Sequence, residues 1–131
     1  MEADVRPAPL PLSFTDGVFP AGCPSRTLLD HVTSKWGVLI LIALSEGAQR
    51  WSELRRRTEG ISEKMLAQTL KTLERDGLVS REAQPVIPPR VDYSLTGKGY
   101  ELSALLVPLV AWAFDNAEEI INGKASPQRP G

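Results

Sequence analysis

Apolar residues recur at helical spacing in the middle of the chain. Leu66, Leu70 and Leu73 follow one another at intervals of four and three residues, which predicts a single apolar stripe along an α-helix. The hydroxyl of Ser62 can cap the start of that helix, and Gly77 is typical of the residue that ends one. We therefore expect a helix between these two residues that buries its leucines.

The other face of this predicted helix is polar and has no acidic residue before Glu74. Its side chains are long hydrogen-bond donors and hydroxyls: Lys64, Gln68, Thr69, Lys71, Thr72 and Arg75. Such side chains can read base edges in the major groove of DNA, where glutamine pairs with adenine, lysine with guanine, and a threonine methyl group contacts thymine. A solvated helix surface has a similar composition, so this face alone does not distinguish the two interpretations.

Two other helices are predicted before this segment. Residues 24–34 place three apolar side chains on one side of a first helix. Residues 36–44 are apolar on nearly every side, so we expect them at the buried centre of the domain. A buried strand is the alternative for this run, but the run continues beyond residue 44 and ends at Gly47, a pattern that favours a helix.

The next segment indicates a helix-turn-helix. Ser52 can cap a short helix over residues 52–57, which follows an extended piece at residues 49–51. A short turn containing Gly60 then leads into the leucine-striped helix, whose outer face is polar. Two helices joined by a short glycine-containing turn are typical of this motif.

After Gly77 the pattern changes from helical to alternating. Residues 78–83 and 91–95 alternate apolar and polar side chains, so we expect two strands. The segment between them contains three prolines, which cannot donate hydrogen bonds to a sheet, and it is therefore predicted to be the loop of a hairpin. A helix-turn-helix followed by such a hairpin is a winged helix.

A long apolar helix is predicted at the C-terminal end of the domain. Thr96 can cap its start, and Pro108 within it removes one hydrogen bond at a cost of about 3 kcal/mol unless the helix kinks. Its apolar stripe, to which Trp112 adds, consists of Leu102, Leu105, Leu106, Leu109, Val110, Ala113 and Ile120. One helix does not need this much apolar surface to cover its own small domain, so we expect a second subunit to bind it.

The predicted fold class is therefore mainly α (α+β), a winged helix-turn-helix domain with a two-stranded wing and a long C-terminal dimerisation helix. The chain has 131 residues, which is the size of one domain. This domain is expected over residues 23–121. A flexible, proline-containing arm is expected at residues 1–22 and a disordered tail at residues 122–131.

Charge is distributed unevenly along the chain. The net charge is −1, yet residues 50–98 contain ten Lys and Arg against seven Asp and Glu, so DNA binding is compatible with the overall charge. The longest apolar run is too short to cross a bilayer and no leader precedes it, so we expect a cytoplasmic protein with no membrane partner. The single cysteine, Cys23, excludes an internal disulfide and a cysteine-cluster zinc site, and we expect no metal or other cofactor.

Several short motifs together resemble the HxlR family of bacterial transcriptional regulators. They are Cys23-Pro24, Lys35-Trp36 and the apolar run after it, residues 51–55, 60–66, 70–79 and 88–96, and Lys98-Gly99. Each is weak evidence alone, but their order and spacing over about 90 residues make the resemblance specific. The resemblance implies a homodimer that pairs through its first and last helices and binds a palindromic operator in double-stranded DNA. The expected dimer contacts are Leu28, Leu102, Leu105, Leu109 and Trp112.

Our hypothesis for the DNA contact divides the side chains by role. Those expected to face base edges are Lys64, Gln68, Thr69 and Thr72. Those expected to contact phosphate are Ser62, Arg55 and Lys71. Arg90, at the edge of the wing, is expected to lie in or over the minor groove. Phosphate contacts fix the position of a protein on DNA, whereas base contacts select the sequence.

Cys23 is a candidate sensor. It precedes Pro24 at the start of the first predicted helix, and a helix start favours the thiolate. In several members of the resembled family the cysteine at this point senses electrophiles or oxidants, which implies a small electrophile or oxidant as its partner. The alternative is a small, buried, unreactive residue.

The sequence also leaves alternatives to a DNA-binding regulator. One is a winged-helix module that binds protein without specific DNA binding, and another is a regulator controlled by a small molecule at the dimer interface. An enzyme with Cys23 as nucleophile would need a base, an orienting acid and an oxyanion site at recognisable spacing, which the sequence lacks, so we expect no enzyme. Among regulators a repressor is favoured, because binding a promoter needs no additional activating surface.

Overall fold

Five helices and a three-stranded sheet form over residues 23–123, which are the residues that the computed structural model describes. The elements in chain order are α1 (Pro24–Val32), α2 (Lys35–Leu44), β1 (Gln49–Arg50), α3 (Trp51–Arg57), α4 (Glu63–Arg75), β2 (Val79–Gln84), β3 (Arg90–Leu95) and α5 (Gly97–Asn122). This arrangement confirms the predicted winged helix-turn-helix with its long final helix. The predicted arm at residues 1–22 and most of the predicted tail, residues 124–131, lie outside the described residues.

The core is built around α2 and α4. The apolar run in α2 is helical, as predicted, and its Ile40, Leu41 and Leu44 are completely buried. Leu66 and Leu73 of α4 are also completely buried, which confirms the predicted leucine stripe. Each such side chain contributes about 1.5–3 kcal/mol to folding through the apolar surface it removes from water. Burial of this stripe fixes the rotation of α4 and therefore which side chains face outwards.

Two of the predicted helix caps are present and one prediction is wrong. The Ser62 hydroxyl accepts a hydrogen bond from the Met65 backbone N–H at 3.0 Å, and Thr96 accepts one from Gly99 at 3.1 Å. The expectation that Ser52 caps the third helix is wrong, because α3 already begins at Trp51. Its N-cap is Arg50, whose backbone N–H donates to Glu53 Oε1 at 2.9 Å.

The wing belongs to a larger sheet than predicted. The hairpin strands β2 and β3 pair antiparallel, as expected, but β1 adds a third strand on the other side of β3. This strand was predicted only as a short extended piece, because two residues are too few to show an alternating pattern. The pairing register places Arg81 opposite Tyr93 and Glu82 opposite Asp92. Tyr93 is buried, so the face that carries Arg81 and Tyr93 is the one turned towards the helices.

The last helix, α5, is continuous through Pro108 and ends at Asn122. Gly123 follows it in the left-handed conformation (φ 68°) that favours glycine at a helix end. Leu106 is buried against the domain, whereas Leu105 is 72% exposed. Most of the apolar surface of α5 is therefore uncovered in the single chain, as the sequence predicted.

Between residues 23 and 123 no single helix is both long enough and apolar enough to span a membrane. The two short helices α1 and α2 reach that length and composition only when taken together, and they are bent by 72°.

Candidate nucleic-acid interface

The outer face of α4 consists of four exposed side chains, Lys64, Gln68, Lys71 and Arg75. Helical spacing places them opposite the buried leucines. We call these four residues the recognition face. None of its three cations forms an ion pair within residues 23–123, so their charges are available to a ligand. Arg75 was not among the predicted DNA contacts, although helical spacing from Lys64 and Lys71 would have identified it.

Two residues predicted to face outwards do not do so fully. Thr69 and Thr72 are half-buried and line a small cleft of about 160 Å³ between α4 and α1. Asp30 and His31 of α1 lie on the other side of this cleft. The expectation that both threonines belong to the exposed face is therefore wrong, because α1 packs along that flank of α4. By helical geometry Thr69 lies about 60° from Leu66 of the leucine stripe and Thr72 about 120° from it.

Both ends of α4 are attached to neighbouring helices by polar side-chain contacts. At the start, Arg55 of α3 donates to Glu63 at 3.1 Å. At the end, the imidazole of His31 contacts the carboxylate of Asp76 at 2.8 Å. These contacts, together with the Ser62 cap, hold the recognition face in one orientation. Arg55, predicted to contact phosphate, is thus already paired with a carboxylate, although both side chains remain exposed.

The wing presents different side chains on its two faces. Arg90 lies on the face turned away from the helices, where its Nε donates to Asp92 Oδ1 at 3.0 Å. Gln84 donates to the other oxygen of the same carboxylate at 3.2 Å. Arg81 lies on the opposite face, next to α4. Sequence reasoning missed Arg81 as a candidate, because alternation alone does not show which face of a strand meets the helices.

Cys23 forms the N-cap of α1, and Pro24 is the first helical residue. Its thiol is partly exposed and lies 3.0 Å from the hydroxyl of Ser25. The hydrogen bond from Ser25 lowers the pKa of Cys23 below its usual value, and the backbone N–H groups of Ser25 and Arg26 act in the same direction. A thiolate is the nucleophilic form of cysteine, so this environment favours reaction with an electrophile or oxidant.

Apolar side chains on α1 and α5 form an uncovered surface. Of the predicted dimer contacts, Leu28, Leu105, Leu109 and Trp112 are exposed. Leu102 differs, because it packs partly against the core of its own chain. An apolar cleft of about 330 Å³ lies beside this surface, between Ile42 of α2 and Phe114 of α5. Within residues 23–123 there is no group of three acidic, histidine or cysteine residues that could hold a metal ion.

Comparisons with known proteins agree with this architecture. The family model of the HxlR-like helix-turn-helix matches residues 31–121. The HTH-type transcriptional regulator YtfH of Escherichia coli (strain K12) is 53% identical over 104 residues, 79% of this chain and 82% of that protein. The solved structure of the transcriptional regulator ytfH from Salmonella typhimurium is 48% identical, with a TM-score of 0.75 over 82% of this chain and 96% of that one. The redox regulator HypR in its oxidized form is 35% identical, with a TM-score of 0.67 over 72% of this chain and 97% of that one.

Proposed function

Because the chain belongs to the HxlR-like helix-turn-helix family, as its motifs predicted, we propose that this transcriptional regulator binds a palindromic operator in double-stranded DNA as a homodimer. The observation that supports this proposal most directly is the recognition face. Its four long donors are exposed, and its three cations have no partner within residues 23–123. A helix of this kind fits the major groove, where its side chains reach base edges and phosphates.

Roles within the interface follow from the direction of each side chain. Gln68 and Lys64 at the centre of the face read base edges, while Lys71 and Ser62 contact phosphate. Thr72 contributes from the flank, whereas Thr69, packed towards α1, is left out of base reading. Arg90 on the wing and Arg55 on α3 contact the backbone once they exchange their carboxylate partners for phosphate.

The exposed apolar surface of α1 and α5 supports the dimer. Leu105, Leu109 and Trp112 are each more than half exposed in the single chain, and pairing them with a second subunit removes that surface from water. Two-fold symmetry then places the two α4 helices about 34 Å apart, one turn of DNA, and so requires a palindromic site.

The experiment is a titration of the full chain with duplex DNA at two salt concentrations. The duplex carries an inverted repeat found in the DNA that flanks the protein's own gene, and a scrambled duplex is the control. We expect the repeat to bind more tightly than the scrambled sequence and both to weaken as salt rises. A winged-helix module that binds only protein would show no salt-dependent duplex binding, and that result would overturn the proposal.

We further propose that the protein is a cytoplasmic repressor and that its operator binding is regulated through Cys23. The lowered pKa of the thiol supports this regulation, and so does the similarity to a protein described as a redox regulator. When the thiolate adds to the activated carbon–carbon double bond of a small electrophile, a sulfur–carbon bond forms at the start of α1, the π bond opens, and the resulting carbanion takes a proton from water. Because α1 packs on α4, this changes the position of the recognition face and weakens operator binding. Equal operator affinity before and after complete alkylation would refute this part.

A small-molecule ligand is the second candidate for the signal. The apolar cleft between Ile42 and Phe114 favours it, because its volume of about 330 Å³ lies in the range of small-ligand sites. Its position beside the dimer surface means that an apolar compound bound there would change how two subunits pack. A fluorescent apolar probe tests binding in the cleft, and a small electrophile tests the thiol. The Cys23→Ser variant should keep the response to the probe and lose the response to the electrophile.

A further inference from the structure

A cleft of about 340 Å³ separates α4, the helix that carries the recognition face, from the wing. Trp51 and Tyr93 contribute aromatic surface to it. Its charged residues are Lys71 and Glu74 from α4 and Arg81 from β2. We call it the wing cleft. The proposed roles above use Lys71 alone from this group, so the other two charged side chains have no function assigned to them.

Arg81 occupies a position where the sheet would ordinarily place an apolar residue. Val79, two residues earlier on the same face of β2, is buried, and Tyr93 directly opposite Arg81 is buried as well. Alternation therefore turns the Arg81 side chain towards α4 rather than into open solvent. Because Arg81 is itself exposed, its guanidinium reaches the mouth of the cleft instead of the core.

The charges in the wing cleft do not neutralise one another. Within residues 23–123 no ion pair joins Glu74 to Lys71 or to Arg81, and neither cation has another carboxylate partner. By contrast, Arg55, Arg57 and Arg90 each contact a carboxylate. Two unpaired cations from different elements, converging on one cleft, leave a place for an anion between them.

We propose that Arg81 and Lys71 bind one backbone phosphate of the DNA, so that the wing and the recognition helix hold the same strand. This inference rests on the proposed DNA binding and adds Arg81 to it. The planar guanidinium can donate two parallel hydrogen bonds to phosphate oxygens, while the ammonium group of Lys71 adds a point charge. The contact positions the duplex without reading its sequence. Glu74 in the same cleft repels the phosphate and limits affinity.

The test measures how the affinity of the full chain for a labelled duplex of mixed sequence falls between about 50 and 200 mM salt. Each lost phosphate contact reduces the slope of log K against log salt by about 0.9, and a homodimer has two Arg81 side chains. We expect Arg81→Ala to reduce the slope by part of this amount for each subunit, because Lys71 still contacts the shared phosphate, and Arg81→Ala combined with Lys71→Ala to reduce it by the full amount. Arg81→Lys should keep most of the slope with weaker binding, because the charge remains and the paired hydrogen bonds are lost.

Two further variants make the test specific. Lys98→Ala removes the same charge from the first turn of α5, where Lys98 is exposed and pairs with Glu101, and should leave the slope unchanged. Glu74→Gln should tighten binding by roughly two- to fivefold, the size of an exposed charge interaction. This substitution also tests the cleft if Arg81→Ala fails to fold. If Lys98→Ala and Arg81→Ala reduced the slope equally, the effect would come from net charge alone and the inference would be wrong.

The outcomes also separate this inference from the proposed function. If the unmodified protein shows no salt-dependent duplex binding, DNA binding itself is wrong. If it binds with a steep salt dependence while Arg81→Ala and Glu74→Gln both leave affinity and slope unchanged, DNA binding stands and the phosphate site in the wing cleft is wrong.

Discussion

His31 Nδ1 lies 2.8 Å from Asp76 Oδ2, and this contact joins the end of α1 to the residue that caps the recognition helix. Both side chains are mostly sheltered, at 32% and 18% exposure. The sequence gives no sign of this contact, because nothing in it shows that two residues 45 positions apart are neighbours. The contact connects the element that begins at Cys23 with the element proposed to enter DNA.

Removing either partner of this contact should destabilise the domain. We expect His31→Ala and Asp76→Ala each to lower the free energy of unfolding by about 0.5–1.5 kcal/mol, the net value of one partly buried hydrogen bond. The double variant should lose little more than one single variant, because both changes remove the same interaction. Urea denaturation of the unmodified protein, the two single variants and the double variant measures the coupling energy between His31 and Asp76. Asp30→Ala, an exposed acid beside His31, is the matched control, and strictly additive losses would show that the two residues act independently.

Gln68 and Arg90 should affect DNA binding in different ways. Gln68→Ala is expected to cost about 1–3 kcal/mol on the preferred operator and to relax the preference at one base position, because a base contact is lost. Arg90→Ala should weaken all sequences alike and reduce the salt dependence, because a backbone contact is lost. Selection of bound duplexes from a random pool, followed by titration at two salt concentrations, distinguishes the two. An unchanged sequence preference in Gln68→Ala would show that the base-reading side chains lie elsewhere.

Much of this fold could be predicted because its strongest signals are local. The spacing of Leu66, Leu70 and Leu73, between a serine cap and a glycine stop, defines α4 without reference to the rest of the chain. The same holds for α5 and its Thr96 cap. Local signals are sufficient here because helix periodicity and capping depend on residues only a few positions apart.

The details of the candidate site depended instead on contacts between distant segments. Thr69 and Thr72 lie on the polar side of α4 in the sequence, yet α1 packs beside both and leaves them half-buried. In the same way, alternation in β2 does not show that Arg81 shares the face of the buried Tyr93. The register of the sheet and the packing of α1 decide these directions, and neither follows from the spacing of residues along one element.

Ser25 should control the reactivity of Cys23. Its hydroxyl is the largest cause of the lowered pKa, so Ser25→Ala should raise the pKa of the thiol towards its usual value. A smaller fraction of thiolate is then present at neutral pH, and alkylation becomes slower there. At a pH above both pKa values the two rates should converge.

The chain contains one cysteine, so the alkylation rate of the full protein as a function of pH reports on Cys23 alone. Ser80→Ala on the wing is the matched control, since Ser80 is exposed and lies on a different element. We expect its rate profile to match that of the unmodified protein. A midpoint that stays in place in Ser25→Ala would show that the backbone N–H groups, not the hydroxyl, set the pKa of the thiol.

Leu105 offers a direct test of the dimer. It is 72% exposed in the single chain, so Leu105→Glu should change the stability of the folded subunit little. In a dimer paired through α5 the same substitution places two carboxylates in an apolar interface, where each loses its hydration without gaining a partner. We therefore expect the variant to sediment as a monomer at concentrations where the unmodified protein is a dimer, and to lose affinity for a palindromic duplex.

Ile87→Glu makes the same chemical change at the tip of the wing, where the side chain is 99% exposed, and should leave the sedimentation of the dimer unchanged. This control separates loss of the interface from a general effect of added negative charge on association. If Leu105→Glu remained dimeric while folded, the subunits would have to pair through a surface other than α5. The apolar side chains along that helix would then need another partner, because exposed apolar surface of this extent indicates a binding site.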